Sequence, residues 1–247
     1  MTLAERARAI EEVKRPFLRP GFEHVRGFGV MAAPFTSGHV LVLRAFPEND
    51  FAPYRSVWHR TPEGDWSIYV DGPRLETGCP RYFGAAAQHS QRAKIELTWT
   101  GPSDLLVRMD TPALEWTVSM KETLFLKIVN GIHPRLPEAS WRPAFLVRAR
   151  ELMARQILDM GDIRLRDTTP SGHQAQLMPE RMYLVAYSTA LLDGVNLGRA
   201  IRSAENPVIG ASKLSARPVF AIGRAYFKIA DVDEYRRTLE EIDDAAS

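Results

Sequence analysis

The amino-acid sequence predicts a β-rich α+β fold, an antiparallel β-barrel or β-sandwich with a few helices attached. Three observations predict it. Seven short runs of strand-forming residues succeed one another between Val25 and Lys121, turn residues punctuate them, and helical periodicity is confined to three segments.

The first helix opens the chain. Thr2 and Glu5 make a capping-box pattern, after which Leu3, Ala7, Ile10 and Val13 recur at helical spacing until Pro16. The strand runs follow: Val25 to Met31, His39 to Phe46, Tyr54 to Arg60, Trp66 to Asp71, Lys94 to Thr100, Leu105 to Asp110 and Leu114 to Lys121. Thr61-Pro62-Glu63-Gly64 and Thr100-Gly101-Pro102-Ser103-Asp104 carry the residues that tight turns favour, so the runs on either side of each read as hairpins. Ser140 and Pro143 start a central helix of about 143–160, with Phe145, Ala149, Leu152, Met153, Gln156 and Ile157 along it and Gly161 as its stop.

A second β block comprises Asp162 to Asp167, His173 to Met178, Met182 to Leu191 before the Asp193-Gly194 turn, and Val219 to Lys228. Asp231 and Glu234 then cap a last helix of about 232–244, whose apolar face is Val232, Tyr235, Leu239 and Ile242. The organisation is one compact unit in three parts: 1–129 with the first helix and first β block, 130–161 with a proline-rich connection and the central helix, and 162–247 with the rest. Thr36-Ser37-Gly38-His39 and Pro170-Ser171-Gly172-His173 echo one another, which Ser-Gly turn chemistry explains without duplication.

Bulk properties narrow the function classes. At 45% hydrophobic and 25% charged, the composition is that of a globular protein with ample core material. The 32 basic residues are interspersed with 30 acidic ones, which excludes the basic stripe of a nucleic-acid-binding surface. No run reaches the roughly 18 apolar residues of a membrane span, and charges occupy the place of a signal peptide's apolar segment. Cys79 is the only cysteine, so there is neither an intramolecular disulfide nor a multi-cysteine metal site. A cytoplasmic protein is expected, with no nucleic-acid or membrane partner and with homo-oligomers allowed. The six histidines are scattered, and no nucleophile elbow, P-loop, zinc motif or dinucleotide fingerprint is present, so neither cofactor nor metal is expected.

Candidate site residues come from two regions. With the turn at 61–64, Arg60 would lie opposite Asp65 and His59 opposite Trp66. Tyr54, Ser56, Trp58, Ser67, Tyr69 and Asp71 would then share one face, and Val57, His59, Trp66, Ile68 and Val70 the other. In a barrel lined by the first face, Tyr54, Trp58 and Tyr69 with Trp66 would contact an apolar ligand and Asp71 or His59 would move a proton; otherwise these residues are ordinary core aromatics with satisfied polar tips. Along Leu114 to Lys121 alternation is strict, so Glu115 and Lys121 share the polar side. Facing a lumen they would make an acid/base pair or a Schiff-base lysine, and facing water they would be a wet sheet surface. Arg164, Arg166, Arg181 and Tyr183 could grip a carboxylate or phosphate, or serve as solvated edge charges.

The hairpin-rich, aromatic-lined strand pattern resembles the lipocalin-like (calycin) architecture, which implies a binder of an apolar small molecule or a cofactor-free hydratase, cyclase or isomerase. The chain length and the strand bearing Lys121 are also similar to the acetoacetate decarboxylase group, which implies a Schiff-base lyase or decarboxylase acting through Lys121; that group's paired-lysine segment is absent. A solidly filled barrel centre would favour a third class, a non-catalytic interaction module.

Overall fold

Strand side chains alternate between faces, so turn geometry decides which residues meet. The computed structural model describes residues 1–10, 12–14 and 19–246. Its main sheet follows ten strands: β1 (Phe22–Val30), β2 (Val40–Asn49), β3 (Tyr54–Arg60), β4 (Trp66–Asp71), β5 (His89–Arg92), β6 (Ile95–Gly101), β7 (Asp104–Met109), β8 (Leu114–Lys121), β9 (Gln174–Leu192) and β10 (Val219–Lys228). Their order is β5-β4-β3-β2-β1-β10-β9-β8-β7-β6, strongly curled into a half-barrel. The two β blocks of the sequence therefore interleave, with β9 and β10 seated between β1 and β8. The pairing is antiparallel except where β5 joins β4 and where Val13–Lys14 joins β2, both parallel.

The helices are α1 (Leu3–Arg8), α2 (Pro80–Phe83), α3 (Leu124–Ile132), α4 (Ala144–Gln156) and α5 (Val232–Ala246). The capping box at Thr2 and Glu5 is formed in both directions, and the Asp231 carboxylate accepts the N–H groups of Asp233 and Glu234. α1 ends at Arg8, while Pro16 lies outside the described residues.

Three sequence expectations need correction. The hairpin loop between β3 and β4 spans five residues: Thr61 N–H donates to Asp65 C=O, Gly64 N–H donates to Thr61 C=O, and Gly64 takes a left-handed φ of 110°. This is a turn closed by a glycine bulge, and the extra residue moves the register by one. Arg60 pairs with Trp66 and His59 with Ser67, so every side chain of β4 lies on the face opposite to the one expected. The same two hydrogen bonds recur at 35–39 and 169–173, with Gly38 and Gly172 at φ 87° and 88°, so the sequence echo is a shared turn geometry.

Second, the runs 173–178 and 182–191 form one 19-residue strand, because a bulge between Pro179 and Arg181 absorbs a proline that cannot donate to the ladder. Asp162 to Asp167 is a strand only at its end, Arg166–Thr168. Third, the 130–143 connection begins inside a helix: α3 buries the Asn130 side chain, whose amide donates to Met182 C=O and accepts from Met182 N–H. It completes the backbone hydrogen bonding of β9 there.

The curl is built where glycines let strands approach. A Cβ on Gly27 would lie 1.9 Å from Ala45 C=O oxygen, and one on Gly223, its cross-strand partner, 2.6 Å from that of Met178. Both positions adjoin register shifts, between Arg26 and Phe28 and between Pro179 and Arg181. The sheet's two free edges are neighbours in sequence and are clasped together. Ala93 N–H donates to Val70 C=O, Ile95 N–H to the Asp71 carboxylate, and Arg55 to Ile95 C=O.

Gly27→Ala should destabilise the fold by about 3 kcal/mol or more, since the added methyl meets backbone that cannot rotate away. Gly131→Ala, in α3 with nothing within 4 Å of the new methyl, should instead stabilise by up to about 1 kcal/mol. Urea denaturation of both variants checks the contrast.

Candidate functional site

Burial divides the sheet into a filled inside and a partly hollow outside. Apolar side chains from every strand but β5 converge on the concave face, among them Val30, Leu43, Val57, Tyr69, Val107, Trp116, Tyr183 and Phe220. Trp116 donates its indole N–H to Ser188 within this core. The barrel centre is thus occupied by side chains.

The candidate residues from the sequence scatter accordingly. Tyr54, Trp58 and Trp66 belong to a core cluster on the convex face, and Tyr69 belongs to the concave core. Tyr54 O–H lies 3.5 Å from Cys79 Sγ, Trp58 donates to Ser56 Oγ, and Trp66 donates to Val208 C=O. Asp71 holds the barrel seam and lies 3.7 Å from Arg55. Together with Tyr54 it borders an open recess of about 520 Å³ at the mouth capped by α1, but the charges there are matched, Arg55 also reaching Glu12 at 3.9 Å. Glu115 and Lys121 are exposed, and Glu115 pairs with Arg108 at 3.1 Å. No dry neighbourhood surrounds Lys121. Arg181 donates to Asn130 C=O at the end of α3.

His59 is buried against His39, with Nε2 2.8 Å from His39 Nδ1 and the rings stacked at 5.0 Å. Burial, and then the charge of His39, lower its pKa from 6.5 to about 4, against a smaller opposing pull from Asp193. Two nitrogens at hydrogen-bond distance share one proton. Among the described residues no cluster of three or more His, Cys, Asp and Glu residues could hold a metal ion.

A different place collects the features of a binding site. Between the convex face and α4 lies an apolar cavity of about 150 Å³. Small residues of the sheet, Gly27, Ala221, Gly223 and Ala225, border one side of it, and Arg150, Met153 and Ala154 of α4 border the other. Met31, Met153, Met160, Met178 and Met182 supply five of the chain's eight methionines to this lining. Their unbranched, polarisable side chains adapt to the shape of an occupant.

Among the described residues the charged groups of the cavity are all cationic, Arg44, Arg150, Arg164, Lys213 and Arg224, with no Asp or Glu in the wall. Two of these are answered elsewhere. Arg224 is tied to Glu180, which Arg26 also grips, so that despite burial the Glu180 carboxyl stays below the ordinary range. Lys213 pairs with Asp162 at 2.6 Å. Among the described residues Arg44 has no carboxylate partner: its guanidinium donates to the carbonyls of Val30, Leu43 and Met31 and lies over the Trp58 ring at 5.3 Å. Desolvation lowers its pKa from 12.5 to about 10, which leaves it charged at neutral pH. Arg150 likewise bonds Ser140 and the Leu146 carbonyl and stacks on Trp141, and its Nε has no hydrogen-bond partner among the described residues. The pKa of His133, in the same wall, is pushed down first by burial and then by the charge of Arg150.

Comparison of the chain with protein-family models, with curated proteins and with solved structures finds no match. The site therefore rests on its own geometry.

Sequence reasoning missed Arg44, Arg150, His133 and the methionines. For Arg44 a signal existed. Val40, Val42, Arg44 and Phe46 alternate onto one face of β2, so a single cation interrupts an apolar stripe. The methionines come from distant segments and carry no local pattern.

The His59 environment sets a pH dependence. Because its folded pKa lies below the unfolded value, the unfolded chain binds more protons between pH 6.5 and about 4. The stabilisation is fully present above pH 6.5 and is lost as the pH falls towards 4. His59→Gln should flatten that loss, as read from urea denaturation at pH 7 and pH 4.5.

Proposed function

We propose that this protein binds a small apolar molecule bearing an anionic group, in the cavity between the convex face and α4. One observation carries the reading: a guanidinium, that of Arg44, faces an apolar, methionine-rich cavity while bonded to backbone carbonyls and, among the described residues, to no carboxylate. Charge in so dry a place is costly unless it is paired, and a ligand carboxylate supplies the missing partner. An apolar void of about 150 Å³ takes an occupant the size of benzene, which sets the scale at a single ring or a short chain.

The half-barrel is compatible with this role and narrows it no further. Binding of an apolar molecule, expected from the lipocalin-like strand pattern, is kept; its place moves from the barrel lumen to the outer face. The Schiff-base reading loses support, because Lys121 is exposed and does not line this cavity.

Benzoate should bind at least about tenfold more tightly than benzyl alcohol or toluene in calorimetric titration, the advantage expected of a charged hydrogen bond at about 1.5–3 kcal/mol. Arg44→Met and Arg150→Met should each shrink that preference while sparing toluene. Equal affinities for the charged and neutral rings would sink the proposal, as would variants that retain the preference. Borohydride treatment in the presence of a small ketone, read by mass spectrometry, should leave Lys121 without a selective adduct.

A further inference from the structure

The outer side of α4 pairs apolar and basic groups in a way that the cavity does not use. Phe145 is 70% exposed and Leu152 57%, and on the same side Arg148 and Arg155 project beside them. These four residues follow the helical stripe i, i+3, i+7, i+10. α3 adds a purely apolar stripe of Leu124, Ile128 and Ile132, exposed at 76%, 57% and 53% and spaced four apart. Both helices bury their other side in one apolar cluster, through Leu126 of α3 and Ala154 of α4, so the bare stripes face outward.

Beside α4 runs an open groove of about 700 Å³ whose walls include Arg148, Arg155, Arg164 and Arg166. The two acids in it are engaged, Asp162 with Lys213 and Glu151 with the Leu165 N–H. Arg148 and Arg155 make no ion pair among the described residues.

The charge is local. Residues 124–166 hold eight Lys and Arg against four Asp and Glu, a net +4, whereas the whole chain is +2, so the remainder is −2. A second copy of this chain fits this face poorly, since a twofold interface would bring like-charged patches together. A flat apolar stripe interleaved with arginines matches an anionic bilayer, where rings and aliphatic chains enter the acyl boundary and long basic side chains reach back to the headgroups.

We infer that the outer face of α3 and α4 docks peripherally on an anionic lipid surface, with the arginine groove against the headgroup phosphates. The contact is in the plane of the interface, with α4 about 20 Å long lying flat. It replaces the sequence expectation of no membrane partner, which rests on the absence of a spanning segment. It does not depend on what occupies the cavity.

Sedimentation of the full chain with vesicles tests it. The protein should pellet with phosphatidylcholine vesicles containing phosphatidylserine, stay in solution with phosphatidylcholine alone, and be released by high salt. Arg148→Glu with Arg155→Glu should weaken partitioning by more than the roughly fivefold expected for each arginine removed. Phe145→Ser with Leu152→Ser should weaken it too, without lowering the melting temperature, because both side chains are exposed. Arg236→Glu, on α5, should change nothing. Binding that ignores phosphatidylserine, or that survives both double substitutions, overturns the inference. So does a concentration-dependent dimer in sedimentation velocity that the same substitutions abolish while vesicles are ignored, which would give the face to a second copy.

Discussion

Everything about the site depends on how tightly the central strands can be bent. Where β1 lies against β2 and β10 against β9, the backbones come so close that Gly27 and Gly223 leave no room for a side chain, and adjacent bulges take up the mismatch. Curling this hard brings the two edges of the sheet to the Asp71 and Ile95 seam and crowds the concave side with Trp116, Phe220 and their neighbours. The same bend strips side chains from the middle of the convex side. A hollow there is the counterpart of the dense packing within.

That hollow explains why the polar chemistry is where it is. A guanidinium in an apolar layer has to be answered by something, and the end of β1 at Val30 and Met31, with Leu43 inside β2, offers carbonyls that satisfy hydrogen bonds without neutralising charge. Where the structure does place carboxylates on this face, it brackets them with arginines, as at Glu180 between Arg26 and Arg224. The contrast between answered and unanswered cations, with Arg164 exposed to solvent, singles out Arg44 and Arg150 more than volume alone. α4 is common to both sides of this chemistry, its inner residues bordering the cavity and its outer ones bare.

Local sequence signals made much of the fold legible. β3, β4, β8 and β10 begin and end where alternation and turn residues place them, because each is bounded by a strong breaker such as Gly64, Pro112 or Pro218. What failed was whatever depends on one residue more or less. A single bulge residue before β4 sent Tyr69 and Trp66 to opposite faces from those expected, and with them the imagined aromatic pocket dissolved. Pro179 reads as a strand end but sits in a bulge, and Asn130 reads as linker but serves as a substitute strand partner. The site was hidden for a related reason: its lining is assembled from β1, β2, α4, β9 and β10, and only Arg44 stands out against its own local pattern.

The interleaving of the two blocks has a consequence for the order of events as the chain folds. β1 pairs with β10 across nearly two hundred residues, and β8 pairs with β9 only after α3 and α4 have intervened. Hairpins β3–β4 and β6–β8 can close early, but β1 lacks its partner on one flank until the last strand has been synthesised. During translation the half-made sheet exposes that flank and its glycine bend. This sheet therefore closes late, only after β10 has been synthesised, with the unpaired inner strand β1 as the period of greatest exposure to aggregation.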